Sequence, residues 1–312
     1  MLTLAQSADL CQDRLLKGVM KAIMFHSPLL RRLPFDDILG NADAWNVEDP
    51  SNPPAVGFYK TGGVWSQDEG ETIPFTTSLT TLGGDVDVPR LIQKTRSKPT
   101  DQAAARIEMK SRNMARTFEK TAIYGDDTSG TEFPGLHKWL AHSSGIFATQ
   151  LLHAGSSTTG AALTAALLDN ALDLVEGADL IICSPAVRRR MTTYLRTSGS
   201  YNTDRDEFGK MITVWGDGVP IAACTGCLQT ETISGSSYAL PVGGATSSLF
   251  VVKFGVEGLH GIQNGGIWKY KFDMLELKDA LRYRLGWYVG LALRSPLAIA
   301  RIDGITDVAM TA

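Results

Sequence analysis

Apolar residues recur along this chain in two rhythms, and the changes between them divide it into parts. Ala103, Ile107, Ser111, Met114, Phe118 and Ala122 keep a helical period, with Arg106, Glu108, Lys110, Arg112, Arg116 and Lys120 covering the other faces. This predicts one helix over residues 101–124, a rod of about 36 Å at 1.5 Å per residue. Glu108 and Arg112 form an i,i+4 pair of favourable polarity on it. A second helical stretch is predicted over residues 7–25, where Leu15, Val19, Met20, Ile23 and Met24 share a face and Pro28 follows. Two readings of it stay open: a helix packed on its own core, or an arm laid on a neighbouring molecule. Leu163, Leu167, Ala171 and Leu174 predict a helix over 158–175. Residues 179–183 read as a short buried strand. Ser184-Pro185 then starts another helix, a hydroxyl cap with proline at the first helical position, whose inner face is Val187, Met191, Tyr194 and Leu195.

Elsewhere the period is two. Ile73 and Phe75, then Val86 and Val88, alternate with polar residues over 72–89, and residues 57–65 read as a second extended arm. Between them residues 66–71 form a polar tip. Such a hairpin reaches about 40 Å at ~3.3 Å per residue, twice the ~20 Å radius of gyration of a chain of this length. It should project from the body. Residues 35–54 read as irregular, with Asp49-Pro50 and Pro53-Pro54 as breakers. Later strands are predicted at 212–215 and 219–223 around Gly216-Asp217-Gly218, and at 249–254. Trp268, Tyr270, Phe272 and Met274, and then Leu281 through Leu293, alternate along two long antiparallel strands, and residues 296–304 add a last one. No repeat of 20 to 50 residues is visible.

Composition narrows the function. A hydrophobic share of 44% and a charged share of 20% describe a folded chain. A net charge of −3 lacks the basic excess of a protein that grips phosphates, so nucleic-acid contact would be local and weak. Residues 2–9 hold no basic segment and no signal-length apolar run, and residues 285–293 are too short to span a bilayer. That points to synthesis in the cytoplasm. Cys224 and Cys227 have CxxC spacing without a second pair or a histidine pair, so ordinary reduced thiols are expected there and at Cys11 and Cys183. His137 and His142 are five apart, off zinc spacing. No GxSxG elbow or Walker loop occurs. Asp126-Asp127, and Asp204 with Asp206, read as solvated loop acids. Arg188, Arg189 and Arg190 spread over most of a helical turn and read as a solvated or inter-subunit salt-bridge face. No reaction centre, cofactor or metal site emerges. An α/β enzyme using Cys183 or Cys224/Cys227 is the rival from another class.

The order of elements is specific: N-terminal arm, projecting hairpin, rod-like helix, the turn from Tyr124-Gly125-Asp126 to Pro134-Gly135-Leu136, an α/β unit, and long antiparallel strands. It resembles the major capsid protein of tailed double-stranded-DNA bacteriophages, the Hong Kong 97 fold. Ser184-Pro185-Ala186-Val187 is similar to that family's axial helix start, and Ser295-Pro296-Leu297-Ala298-Ile299 to its closing strand. The resemblance implies an α+β fold: N-terminal arm (1–48), extension loop (49–92), spine helix of the peripheral domain (93–135), axial domain (136–262) and peripheral return strands (263–312). It implies a structural protein, not an enzyme, that self-assembles into hexamers and pentamers of an icosahedral virion shell in the host cytoplasm, without a membrane. Lys60, Val64, Trp65, Ile73 and Phe75 on the loop, and Leu15, Val19 and Ile23 on the arm, would be inter-subunit contacts. Arg14, Lys17, Arg106, Lys110, Arg112 and Arg116 would face packaged double-stranded DNA diffusely, diluted by Glu108 and Glu119. Scaffolding, portal and decoration proteins are the further partners implied. Because the arm starts close to Met1, any scaffold would be a separate protein. Lys60 and Asn264 would be the donor and acceptor if subunits cross-link. An encapsulin-type compartment that encloses protein cargo shares the fold and is the alternative.

Overall fold

The computed structural model of the chain describes residues 2–4, 18–21, 23, 27–49, 52–67, 70–96, 102–140, 147–155, 160–205, 211–216, 218–224, 246–272 and 278–311. In chain order, β1 (Leu2–Thr3) precedes α1 (Pro28–Arg32), β2 (Pro34–Asp37) and a ribbon of β3 (Ala42–Glu48) and β4 (Thr72–Ser78). β5 (Thr80–Pro89), α2 (Arg90–Arg96) and the 23-residue α3 (Gln102–Tyr124) follow. Then come α4 (Leu136–Leu140), β6 (Leu151–His153), α5 (Ala165–Asp173), β7 (Leu180–Cys183) and α6 (Pro185–Ser198). β8 (Asn202–Arg205), β9 (Met211–Trp215), β10 (Val219–Ala223) and β11 (Ser247–Val252) lead to two long strands, β12 (Leu259–Phe272) and β13 (Ala280–Leu293), and to β14 (Ile299–Ile305).

The helical stripe predicted for α3 is its buried face: Ala103, Ile107, Ser111, Met114, Phe118 and Ala122 are all covered. They lie against a five-stranded sheet of order β1-β2-β12-β13-β5. β12 and β13 pair antiparallel from Leu259↔Leu293 to Phe272↔Arg282; the antiparallel pair was predicted, but β12 begins nine residues before Trp268, where its alternation was read. The Phe118 ring is fully buried among Phe35, Phe133 and Trp287, at centroid distances of 6.3, 5.5 and 5.4 Å. Gly261 permits this packing, because a Cβ there would come within 2.3 Å of the Phe35 ring. The indole N–H of Trp287 donates to Gln263 Oε1 at 3.0 Å, so the buried donor is satisfied.

The second sheet has order β6-β14-β11-β7-β10-β9-β8. Its central strand β7 is buried along its whole length, and it pairs parallel with β10 and antiparallel with β11. Ile181 and Cys183 face the core beneath α5 and α6, whereas Leu180 and Ile182 join the core around α3. A strand buried on both faces reads as a continuous apolar run, and for that reason it was legible. Ser184 caps α6 as expected, its hydroxyl accepting from the Val187 N–H at 3.2 Å.

Three expectations are corrected. The hairpin does not pair residues 57–65 with 72–89. β3, inside the stretch read as irregular, pairs with β4 from Ala42↔Ser78 to Glu48↔Thr72, and residues 52–67 form no regular strand. β5 leaves the ribbon and joins β13 in the large sheet. Secondly, β14, expected beside the long return strands, lies beside β11 and β6 in the seven-stranded sheet and not in the sheet of β12 and β13. Thirdly, Cys224 is disulfide-bonded, contrary to the expectation of a reduced thiol there. Cys183 is a free, buried thiol.

Candidate assembly surface

The ribbon is rooted in the body by aromatic packing. Trp45 of β3 stacks on Phe75 of β4 at 6.3 Å, and Phe75 meets Trp139 at 5.7 Å and Phe147 at 6.2 Å. Phe75 is therefore buried within its own protomer, with Ile73 packed beside it. The expectation that Phe75 waits for a neighbouring subunit is corrected: its ring is already covered. Val19 and Ile23 are likewise buried in the protomer core, which decides between the two readings of the N-terminal helix at those positions. Leu15, Arg14 and Lys17 lie outside the described residues.

Beyond the paired strands the loop carries its apolar side chains outward. Phe58 and Val64 are fully exposed and Trp65 is 74% exposed, with Val56 beside them. The segment is folded on itself all the same. Tyr59 stacks on Trp65 at 4.9 Å, its hydroxyl shares a hydrogen bond with Ser66 Oγ, and it accepts from the Ser66 N–H at 3.1 Å. These bonds lower the Tyr59 pKa. Gly63 N–H donates to Lys60 O at 2.8 Å, and Gly62 supplies the positive φ of 80° that the turn requires. Lys60 is exposed, as is Asn264, whose Nδ2 donates to Ile38 O at 3.2 Å. Sequence reasoning found Val64 and Trp65 but missed Val56, Phe58 and Tyr59. Their signal was an aromatic-rich stretch with no period of either kind, entered through Pro53-Pro54.

The cations of the spine are not equivalent. Arg106 donates to Asp87 O at 2.8 Å and Arg112 pairs with Glu108. Lys110 is half-buried over Gly84, and Arg116 is exposed. Glu119 is not a surface neighbour of these cations. It is buried, hydrogen-bonded by Ser27, and burial pushes its pKa up to about 7. On the sheet, Arg282 binds Asp87 through two bonds of 2.7 and 2.8 Å, and Arg284 binds Asp85 likewise. These bonds lower the pKa of both carboxyl groups.

Burial pushes the Cys183 thiol up to about 12, so it is no nucleophile. Lys138 binds Asp126 at 2.9 Å and Asp127 at 3.4 Å, occupying that acidic pair. No cluster that could hold a metal occurs among the described residues. Nor, among them, is any helix long and apolar enough to cross a membrane.

Residues 82–218 match the family of the SU10 major capsid protein, a stretch that takes in most of β5, all of α3 and the α5–β7–α6 unit. The chain is 17% identical to the SrpI encapsulin of Synechococcus elongatus PCC 7942, with a TM-score of 0.65 over 91% of this chain and 89% of that one. The capsid of an empty GTA particle gives 12% identity and a TM-score of 0.59 over 90% of both chains. This chain has the Hong Kong 97 capsid fold. A structure from Microbacterium phage Oxtober96 matches at 14% identity and a TM-score of 0.56, over 89% of this chain and 90% of that one. No curated protein matches the chain by sequence.

Proposed function

We propose that the protein is the major capsid protein of a tailed bacteriophage, a structural protein that builds the virion shell and catalyses no reaction. The observation that carries the reading is the extension-loop tip. Val56, Phe58, Val64 and Trp65 are left uncovered by their own protomer, while the ribbon behind them is anchored on Trp139 and Phe147. An apolar cluster held out on an anchored arm is stable in water only when another surface covers it. The capsid fold and the match to the SU10 major capsid protein family support a second copy of this chain as that surface. Lys60, Val64 and Trp65 then lie in subunit contacts, and the copies form hexamers and pentamers of a closed icosahedral shell. Packaged double-stranded DNA meets the inner wall weakly, through residues such as Arg116 and Lys110, because a net charge of −3 supplies no strong phosphate grip. Scaffolding, portal and decoration proteins complete such a head.

The test is recovery of the native particle. Icosahedral shells holding nuclease-protected duplex DNA are expected. The likeness to the SrpI encapsulin favours a second reading, a compartment around protein cargo. Shells that hold a defined protein and no protected DNA would establish that second reading. A protein that stays monomeric at high concentration, with and without co-expressed head proteins, would sink both.

A further inference from the structure

The outer face of α6 lines a cationic groove that lies apart from the exposed tip. Val187, Met191 and Leu195 bury one side of the helix, so Arg188, Thr192 and Arg196, with Arg189 and Thr193 beside them, are turned outward. Gly199, at a φ of 75°, ends the helix and donates its N–H to Leu195 O. The chain turns back there and sets Tyr201 across from Arg196, and the pairing of β8 with β9, Thr203↔Thr213, brings Thr213 to the same wall. The groove between these walls has a volume of about 460 Å³.

Among the described residues no carboxylate lines it. Arg190, which does not line it, is tied to Asp307, its Nε on Oδ1 at 2.8 Å and its Nη2 on the backbone O at 3.0 Å. Arg189 reaches Asp307 only at 3.5 Å, and Arg188 has no acidic partner among the described residues. The Arg196 guanidinium lies over the Tyr201 ring at 5.1 Å, and the Tyr201 hydroxyl is hydrogen-bonded to both Arg196 and Thr213. Tyr201 therefore orients Arg196 without neutralising it. Thr192 and Thr193 donate their hydroxyls to the carbonyls of Arg188 and Arg189, at 2.8 and 2.9 Å. The donors left for a ligand are guanidinium N–H groups, on three cations within about 12 Å of helix.

We propose that this groove binds a small phosphate-bearing anion of the pyrophosphate or nucleotide class. Guanidinium forks match phosphate oxygens pairwise, and a phosphate group near two negative charges offsets more of the three cations than one carboxylate does. The volume suits a small ligand. A peptide finds no apolar seat: Pro185 apart, the one ring in the walls lies under the Arg196 guanidinium. A nucleic-acid strand needs a basic track, and here the positive surface is an island, with Asp307 holding Arg190 on one side and the exposed Asp204 further along β8 from Tyr201. The site is complete within one chain, so its occupancy stands or falls apart from shell formation.

Calorimetric titration of the full-length protomer with pyrophosphate tests it, with succinate and a short single-stranded oligonucleotide as competing probes. The parent should bind a single pyrophosphate per chain. Arg188→Gln with Arg196→Gln should weaken that binding about tenfold or more, since each arginine contributes hydrogen bonds to a charged group. Arg188→Gln alone, which breaks no contact within the chain, should weaken it less and in the same direction. Lys94→Gln with Lys120→Gln removes the same charge at exposed positions away from the groove and should change it by less than about twofold. All these positions are exposed, so far-UV circular dichroism and thermal melting without ligand should match the parent. A parent that shows no saturable binding, or two double variants that lose it equally, would overturn the proposal. Succinate binding as tightly as pyrophosphate would make the groove a carboxylate site and overturn it too. So would an oligonucleotide that binds the parent more than about tenfold tighter than pyrophosphate and is lost with Arg188 and Arg196, which would assign the groove to nucleic acid.

Discussion

Glu119→Gln should flatten part of the protein's pH dependence. The carboxyl lies in the core beneath the spine helix, 4% exposed, with Ser27 as its hydrogen-bond donor. Burial raises its pKa from 4.5 to about 7, so between those values the folded protein holds a proton that the unfolded chain has released. Stability from this group is present in full below pH 4.5, falls as pH rises, and is lost above about pH 7. A shift of that size corresponds to about 3 kcal/mol at 1.36 kcal/mol per unit. The glutamine side chain of the variant carries no charge at any pH and keeps the shape of the protonated acid. Other groups, among them Asp85, Asp87 and Asp126 with their lowered pKa values, titrate in both proteins and cancel in the difference. Urea unfolding of the unassembled protomer at pH 5 and pH 8 is the assay. The variant should gain about 2–3 kcal/mol on the parent between the two. A difference that does not change with pH would mean that water or a cation reaches Glu119, and the burial argument would fail.

Phe118→Ala removes a fully buried ring from the cluster of Phe35, Phe133 and Trp287, and should cost about 3–5 kcal/mol in the same urea assay. A loss below about 1 kcal/mol would mean the ring is not packed as described. Trp65→Ala should leave protomer stability within about 0.5 kcal/mol of the parent and still reduce shell yield. Phe75→Ala should do the reverse at its root, lowering protomer stability before assembly is reached. The isolated protein should bind duplex DNA weakly, without sequence preference, and release it as salt rises. A sequence-selective complex at physiological salt would contradict that.

What the sequence made legible was whatever a single element decides for itself. The α3 stripe is a one-helix pattern, and all six of its predicted positions are buried. Ser184-Pro185 is a local start signal, and α6 begins there. β13 carries alternation long enough to outweigh Gly286 and Gly290, whereas the glycine-containing first part of β12 was not read as strand. Pairing is different, because it depends on residues far apart. β3 reads Ala42-Asp43-Ala44-Trp45-Asn46-Val47-Glu48, a weak strand whose inward apolar residues are Trp45 and Val47, with Asp43 beside them bonded to Arg294. It is a strand because Phe75 and Ile73 lie directly opposite Trp45 and Val47. Residues 57–65 are richer in aromatic residues than β3, yet have no strand opposite.

The same distinction governs the assembly surface. Phe75 and Trp65 are both aromatic, both on the hairpin and both plausible contacts for a neighbour when read from sequence. One is covered by Trp45, Trp139 and Phe147 of its own chain, and the other stands 74% exposed against Tyr59 alone. Trp139 and Phe147 are more than sixty residues from Phe75, so no local pattern could have separated the two. Charge obeys the same rule. Arg188, Arg189 and Arg190 are adjacent and chemically identical, but only Arg190 reaches fully to Asp307, more than a hundred residues away. A side chain's availability to a second copy is set by what its own fold has left uncovered. That quantity first exists when the long-range pairings have formed, and for this reason no local stretch of sequence could rank the exposed tip of the ribbon above its buried root.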